Sequence, residues 1–183
     1  MSNIFIEGEM INLCPIEKRT APVMAKWMND PSIRVTLIRY LPVSTQMEEV
    51  WISSLEENPN KNVVLAITLK ERGEHIGNVG LHSINWKNRV ATLGIVIGNK
   101  KHWGNGIGTE AIKLILQYAF RTLNLRKINS VVVEGNKGSL IIHDRNGFKV
   151  EGAHKKEHFI DGEYRDLILL GVFRSDCKKA QKK

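Results

Sequence analysis

The residues best suited to chemistry lie in a glycine-rich turn between a predicted strand and a predicted helix. Gly104, Gly106 and Gly108 occupy every second position, and apolar residues recur at helical spacing in the segment that follows. Glycines let backbone amides approach a ligand closely, and the first N–H groups of a helix lack partners within it. Because the helix dipole and the basic segment Lys100–His102 add positive potential, the turn is predicted to bind a phosphate group.

Two familiar glycine-rich phosphate sites do not fit this turn. A dinucleotide-binding fold carries its glycines in an early strand–helix–strand unit with an acidic ribose ligand, whereas this turn follows a predicted antiparallel meander. A P-loop has a lysine after its last glycine, and here Gly108 is followed directly by Thr109. A glycine turn that only begins a helix is the structural alternative.

The elements that position the turn are predicted from periodicity and from turn residues. The predicted strands cover residues 10–16, 63–69, 75–86, 89–97, 127–133, 149–160 and 163–173, and the predicted helices cover 18–29, 44–58, 107–123 and 139–145. Asn146–Gly147 is expected to end the last helix with a left-handed cap, and Asp161–Gly162 predicts a tight hairpin. This order predicts a mixed α/β domain of the α+β type, with about seven strands in a largely antiparallel sheet and about four helices.

Composition and charge limit the class of protein and its partners. The 183 residues suffice for one substantial core, and no apolar run reaches the roughly 20 residues of a membrane span. Cys14 and Cys177 lack metal-ligand spacing, and Cys14 is expected to be a small core residue. The net charge of +8 favours anionic partners, but the basic residues are scattered outside the tail at 176–183, which argues against nucleic acid. We expect a cytoplasmic protein with no membrane partner, no metal and a frayed basic tail.

Longer motifs point to a family. The chain resembles the GNAT N-acetyltransferases, especially the branch that contains ribosomal-protein N-terminal acetyltransferases and spermidine acetyltransferases. The resemblance is carried by LGIVIGNKKHWGNGIGTEA, by Asn136 with the following SLIIHDRNGF, and by the closing EGAHKKEHFIDGEYRDLILLGVF. It covers nearly the whole chain. It implies a single GNAT-like domain at residues 1–175, a sheet splayed in the middle, and acetyl-CoA as the donor.

The resemblance also implies which residues hold the cofactor. In such enzymes the splayed strand hydrogen-bonds the pantetheine arm of acetyl-CoA, and one of its N–H groups polarises the thioester carbonyl. The glycine turn wraps the pyrophosphate, and an asparagine after the next strand helps hold cofactor or acceptor. Carried over to this chain, the cofactor-binding residues are Ile95, Val96, Ile97, Trp103, Gly104, Asn105, Gly106, Ile107, Gly108, Thr109 and Asn136.

Residues around this cradle depart from the family pattern. Trp103 stands where many members have Arg or Gln, which matters little if backbone groups bind the ligand. Thr92 stands where a Glu often serves as a water-linked base, and His143 stands where a Tyr faces the departing sulfur. An imidazolium can protonate a thiolate, so His143 is the candidate acid. The alternative is a histidine that only fills the position.

The candidate base is Glu134, because strand ends around a splayed sheet face the reaction centre. His82 and Glu151, on strands beside the expected cleft, are further candidates. Each of these side chains is alternatively a solvated or paired group. Nothing in the spacing favours an acyl-enzyme, so direct transfer in a ternary complex is expected.

The leading interpretation is therefore an acetyl-CoA-dependent N-acetyltransferase acting on a primary amine. The acceptor is a protein N-terminal amine, a polyamine or an amino sugar, and we expect the loop at 33–43 and the hairpin at 159–165 to face it. The net positive charge disfavours a polycation, although acidic residues of the second helix offer local compensation; these are Glu48, Glu49, Glu56 and Glu57. The alternative is a non-catalytic acyl-CoA sensor or a basic interaction module. A homodimer is the family-like expectation.

Overall fold

One mixed sheet organises the part of the chain that the computed structural model describes, residues 3–176. Its eight strands within that range are β1 (Ile6–Glu7), β2 (Ile11–Pro15), β3 (Val63–Leu69), β4 (His75–Asn85), β5 (Val90–Ile97), β6 (Lys127–Val133), β7 (Lys149–Ile160) and β8 (Glu163–Phe173). They lie in the order β1-β2-β3-β4-β5-β6-β8-β7, and only β5 and β6 pair in parallel. The strands β3, β4 and β5 thus form the predicted antiparallel meander, and β1 and β2 extend it with the same antiparallel pairing.

Helices cover both faces of this sheet. They are α1 (Ala21–Asn29), α2 (Pro31–Arg34), α3 (Thr45–Glu57), α4 (Ile107–Arg121) and α5 (Lys137–Arg145). The apolar face of α4 forms the main core with the strands, and α5 adds Leu140 and Ile142. The helices α1 to α3 form a smaller core around Met24 and Trp27. Because alternate residues of a strand face opposite sides, Ile95 and Ile97 pack in the main core while Val96 packs in the smaller one.

The sheet divides between β5 and β6. The two strands pair only at Val90–Lys127, Ala91–Ile128 and Thr92–Asn129, although β5 continues to Ile97 and β6 to Val133. Beyond Thr92, β5 keeps its partner β4 and β6 keeps its partner β8. The expected splay in the middle of the sheet is therefore present.

Several local predictions are confirmed. Ser44 caps α3, since its hydroxyl accepts a hydrogen bond from the Met47 N–H at 3.1 Å. Gly147 has a φ of +84° after α5, and Asp161 and Gly162, with φ of +48° and +85°, turn the hairpin between β7 and β8. Cys14 is a buried core residue.

Other features differ from the sequence predictions. The short strand β1 and the one-turn helix α2 were not predicted, and a 3-10 turn at Lys18–Thr20 precedes α1 where a continuous helix was expected. Pro22 near the start of α1 fits the first turn of a helix, which explains why α1 begins at Ala21. Cys177 and nearly all of the basic tail lie outside the described residues. No helix within residues 3–176 is long and apolar enough to cross a membrane.

Candidate active site

The splay, the glycine turn and α5 border one cleft. Since β5 and β6 are parallel, their carboxyl ends lie at the same edge of the sheet, which is where open sheets bind ligands. The turn follows β5, and α5 follows β6. The first turn of α4 contacts α5 closely, because a Cβ at Gly108 would lie 3.2 Å from Ile142 Cδ1, and Asn146 Nδ2 donates to the Thr109 carbonyl at 3.1 Å.

The glycine turn presents free backbone donors. Gly104 and Gly106 have φ of +79° and +82°, a region that favours glycine, and Gly106 is the N-cap of α4 without a side-chain cap. The first backbone bond of α4 runs from the Glu110 N–H to the Gly106 carbonyl at 3.0 Å. Among the described residues, the N–H groups from Gly104 to Thr109 meet no acceptor. This geometry fits a pyrophosphate, and the assignment of these residues to cofactor binding stays a prediction.

Trp103 fixes the turn to the end of β5. Its indole Nε1 donates to the Ile97 carbonyl at 2.7 Å, while the side chain is 44% exposed. The side chain thus has a structural partner, which is consistent with a turn that binds through its backbone.

Basic side chains border the turn unequally. Lys100 Nζ lies 2.8 Å from Asp30 Oδ2, and hydrogen bonds from Lys100 and Ser32 lower the Asp30 pKa to about 2. Lys100 is therefore committed to a carboxylate beside α2, whereas Lys101 is exposed. A groove between the β3–β4 turn and the segment after β5 is lined by Arg72, Asn99 and Lys101 among others.

The open edge of β5 carries main-chain groups for a ligand. The Leu93 carbonyl lies 3.3 Å from Ser130 Oγ and the Ile97 carbonyl accepts from Trp103, so both point toward the β6 side. Alternation along the strand directs the N–H and C=O of Ile95 to the same edge. Beyond Thr92 no strand within residues 3–176 pairs with that edge. Ile95 therefore offers the backbone donor expected at a thioester carbonyl.

Asn136 caps α5. Its Oδ1 accepts a hydrogen bond from the Ser139 N–H at 3.1 Å, which leaves its Nδ2 without a partner among the described residues. A ligand would therefore meet the amide nitrogen of Asn136 rather than its oxygen.

His143 is 2% exposed and hydrogen-bonded at both ring nitrogens. Nδ1 lies 2.7 Å from the Ser139 carbonyl, which requires Nδ1–H as donor, and Nε2 lies 2.9 Å from Ser130 Oγ. Burial lowers the pKa of His143, and the bond to Ser139 opposes that shift only partly. The neutral tautomer, with Nε2 accepting from Ser130, is the form that this site favours.

The candidate bases differ in whether their side chains already have hydrogen-bond or ion-pair partners. Glu134 is exposed and its Oε2 accepts from the Asp166 N–H at 3.1 Å, while Glu151 lies 2.6 Å from Lys127 Nζ. His82 has no hydrogen-bond partner within residues 3–176, and its Nε2 lies over Gly94. The structure therefore places His82, without a side-chain partner, beside the splayed strand, whereas the carboxylates of Glu134 and Glu151 already have partners.

Two structural residues near the cleft had no clear sequence signal. The Glu110 carboxylate accepts from the N–H groups of Glu9 and Met10 and so anchors the β1–β2 turn to α4. Ser130 connects His143 to β5, but in the sequence it is one polar residue in a short apolar strand. No group of His, Cys, Asp and Glu side chains in the described part could hold a metal ion.

Comparison with known proteins agrees with this geometry. The Acetyltransferase (GNAT) domain model matches residues 11–149. A spermidine N(1)-acetyltransferase of Escherichia coli is 29% identical over 154 residues, which cover 84% of this chain and 75% of that protein. A spermidine N-acetyltransferase of Vibrio cholerae, solved with CoA and spermine, superposes with a TM-score of 0.86 at 24% identity over 93% and 99% of the two chains. The ribosomal-protein-S5-alanine acetyltransferase of Vibrio fischeri gives 0.82 at 21% identity over 93% and 97%.

Proposed function

Because the chain belongs to the GNAT acetyltransferase family and transfers an acetyl group from acetyl-CoA to an amine, we propose that its acceptor is a small polyamine of the spermidine type. One observation supports binding of the acetyl-CoA donor. The open edge of β5 lies beside the first turn of α4, whose backbone amides meet no acceptor in the described chain. The similarity to spermidine acetyltransferases over most of the chain supports the acceptor class.

We assign the donor to the cleft as follows. The N–H groups from Gly104 to Thr109, with Trp103 holding the turn in place, bind the pyrophosphate, and Ile95–Ile97 bind the pantetheine arm. Asn136 Nδ2 is a further donor at the rim. Bound acetyl-CoA supplies the acetyl group as a thioester, and the Ile95 N–H stabilises the charge that its carbonyl oxygen gains.

The acceptor must be neutral when it attacks. A lysine-like amine with a pKa of about 10.4 is neutral in about one molecule in 2,500 at pH 7, a cost of about 4.6 kcal/mol. An α-amino group, with a pKa of about 7.7–8.0, costs only about 1–1.4 kcal/mol. A polyamine acceptor therefore needs a base or a desolvating site in this protein more than a peptide N-terminus does.

Charge near the acceptor side gives mixed support to a polyamine. Glu48 in α3 is buried, and burial raises its pKa while the Arg39 charge opposes that shift. The other acidic residues of α3, Glu49, Glu56 and Glu57, are exposed and available to a cation. The net charge of +8 and the smaller deprotonation cost favour a protein N-terminal amine as the second candidate.

The proton carriers also stay proposals. A lowered pKa leaves His143 protonated in less than about a quarter of molecules at pH 7, so its role as an acid is limited and a positioning role gains support. Glu134 is retained as a candidate base on the strength of its place at the end of β6. A cytoplasmic location and a homodimer are likewise retained as proposals.

The experiment is thiol release from acetyl-CoA with spermidine, with a peptide bearing a free N-terminal alanine, and with an amino sugar. We expect the highest kcat/KM for spermidine. Preference for the peptide would replace the polyamine by the second candidate. Tight acetyl-CoA binding without turnover on any acceptor would refute catalysis and favour an acyl-CoA sensor.

A further inference from the structure

Three polar side chains form a row across the sheet just before it splays. His82 on β4 pairs in register with Thr92 on β5, and Thr92 pairs with Asn129 on β6. Residues directly opposite each other in a sheet share a face, so the three side chains lie side by side on adjacent strands, roughly 5 Å apart. This is the face on which Val96 packs against the α1–α3 core, opposite to His143 and α4.

None of these three side chains has its hydrogen-bonding atoms engaged by residues 3–176, although all three are half-buried. Neither His82 nor Thr92 has a side-chain hydrogen bond to any residue of the described range. The Oδ1 atom of Asn129 is buried and also lacks a partner there. Buried polar atoms are normally hydrogen-bonded, so this unpaired oxygen, where the strands part, is an available acceptor for a donor that enters the gap.

The imidazole of His82 leans toward the open part of the cleft. A Cβ at Gly94 would lie 3.0 Å from His82 Nε2, so the ring occupies the space that a side chain at position 94 would fill. Gly94 follows Thr92 on the same face and precedes Ile95, whose N–H is directed to the open edge. His82 Nε2 is therefore next to the strand that the thioester occupies.

The surroundings favour the uncharged form of His82. Burial lowers its pKa, and no charged side chain of residues 3–176 contributes to that shift. On the same face, the neighbouring strand β3 presents the apolar residue Val64. On β6, Lys127 forms an ion pair with Glu151 of β7, and this pair is neutral overall. Lys61, before β3, is exposed. A neutral ring with its hydrogen on Nδ1 has Nε2 free to accept a proton.

We propose that His82 Nε2 takes one proton from the incoming ammonium group, and that Thr92 Oγ1 and Asn129 Oδ1 orient the resulting neutral amine by accepting its two N–H hydrogens. The nitrogen lone pair then forms the N–C bond and the C–S bond breaks with its electron pair on sulfur. The second proton lost by nitrogen passes to the thiolate, and the proton on His82 passes to solvent. This assignment rests on the proposed amine acetylation and adds a base to it.

The test compares His82→Gln with the wild-type protein and with His154→Gln, a change at an exposed histidine on β7. With whichever of spermidine and the N-terminal alanine peptide the wild type acetylates, we expect His82→Gln to lose about 10²–10⁴-fold in kcat at pH 7. The KM for acetyl-CoA should stay within about twofold, since the row does not contact the glycine turn. The loss should shrink toward pH 9, because the amine then deprotonates without help. His154→Gln should match the wild type.

Two further variants keep the inference testable if His82→Gln folds poorly. Gly94→Ala displaces the ring without removing it and should lower kcat in the same direction. Asn129→Leu should raise the KM for the amine about tenfold or more with a smaller change in kcat, as expected for a positioning residue. As a readout independent of turnover, the histidine ring signals in NMR should show His82 shifting when spermidine is added to the CoA-bound protein.

The outcomes distinguish a failure of the proposed role of His82 from a failure of the proposed amine acetylation. Wild-type turnover with an unchanged rate and pH profile in His82→Gln overturns the role of His82 but leaves amine acetylation standing. A wild-type protein that binds acetyl-CoA and acetylates none of the amines overturns the proposed function and this inference together.

Discussion

Replacement of His143 by Phe tests how much the two hydrogen bonds of this buried histidine contribute to folding stability. The phenyl ring keeps the volume and the edge-to-face contact with Phe148, whose ring centroid lies 4.8 Å away. It removes the hydrogen bonds to Ser130 Oγ at 2.9 Å and to the Ser139 carbonyl at 2.7 Å. At about 0.5–1.5 kcal/mol for each bond, His143→Phe should lower the free energy of unfolding at pH 7.5 by about 1–3 kcal/mol.

The pH dependence of that cost tests the burial argument. Because burial lowers the pKa of His143, the unfolded chain binds more protons than the folded one between the folded pKa and about 6.5. The contribution of His143 is thus fully present above about pH 6.5 and is lost as the pH falls, at up to about 1.4 kcal/mol per pH unit. The pKa values of His75 and His82 are lowered too, but both proteins share those residues.

The assay is urea denaturation of the wild type and His143→Phe at pH 7.5 and 5.5. The stability gap between them should narrow at the lower pH, by at most about 1.4 kcal/mol. Ser130→Ala is the control, since it removes one hydrogen bond but keeps the titrating ring, and its gap should not narrow in the same way. A His143→Phe gap that stays constant or widens on acidification would refute the reasoning. Acetyl transfer by the same variant should be slower, with acetyl-CoA affinity nearly unchanged.

Three other substitutions, one of them with a matched control, follow from the fold. Gly106→Ala places a side chain at a φ of +82°, so it should lower the free energy of unfolding by about 1–2 kcal/mol and weaken acetyl-CoA binding, measured by calorimetry. Its control is Gly138→Ala in the first turn of α5, which should be neutral or stabilising by about 0.4–1 kcal/mol. Glu110→Ala leaves two N–H groups of the β1–β2 turn unpaired and should lower the melting temperature; an unchanged value would show that the anchor is dispensable. Asp30→Asn should remove a contribution to folding stability that is sensitive to acid. The Asp30 carboxyl, whose pKa is lowered from 3.8 to about 2, stabilises the fold above that pH range, and its contribution is lost as the pH falls through the range. Unfolding measured as a function of pH detects the difference between the two proteins.

The sequence was most informative where local rules decide the structure. Alternation, helical spacing and turn residues predicted the meander, the glycine turn and the Asp161–Gly162 hairpin, because each depends on neighbours in the chain. The two-residue strand β1 was missed because its place in the sheet depends on pairing with β2, and α2 was missed because one turn of helix has too little periodicity to detect.

The catalytic neighbourhood was less accessible from the sequence. His143 could be matched to a family position, but its bonds to Ser130 and Ser139 depend on how α5 packs over β6. The row formed by His82, Thr92 and Asn129 requires strand registers between residues up to 37 positions apart, and register is set by tertiary packing. Glu134 was chosen for its position at a strand end, and the pairing of that strand with β8 gives its carboxylate the Asp166 amide as a partner.

The short contact between β5 and β6 makes the sheet mechanically two plates joined by a narrow hinge. Three residue pairs, the backbone bonds to the Arg89 carbonyl and the hydroxyl of Ser130 connect the plate of β1–β5 to the plate of β6–β8. Thermal bending should concentrate at this hinge, so amide hydrogens on the facing edges of β5 and β6 should exchange with solvent faster than those elsewhere in the two strands. A molecule lodged in the gap would span both plates, so its binding should slow exchange in both and stiffen the whole sheet.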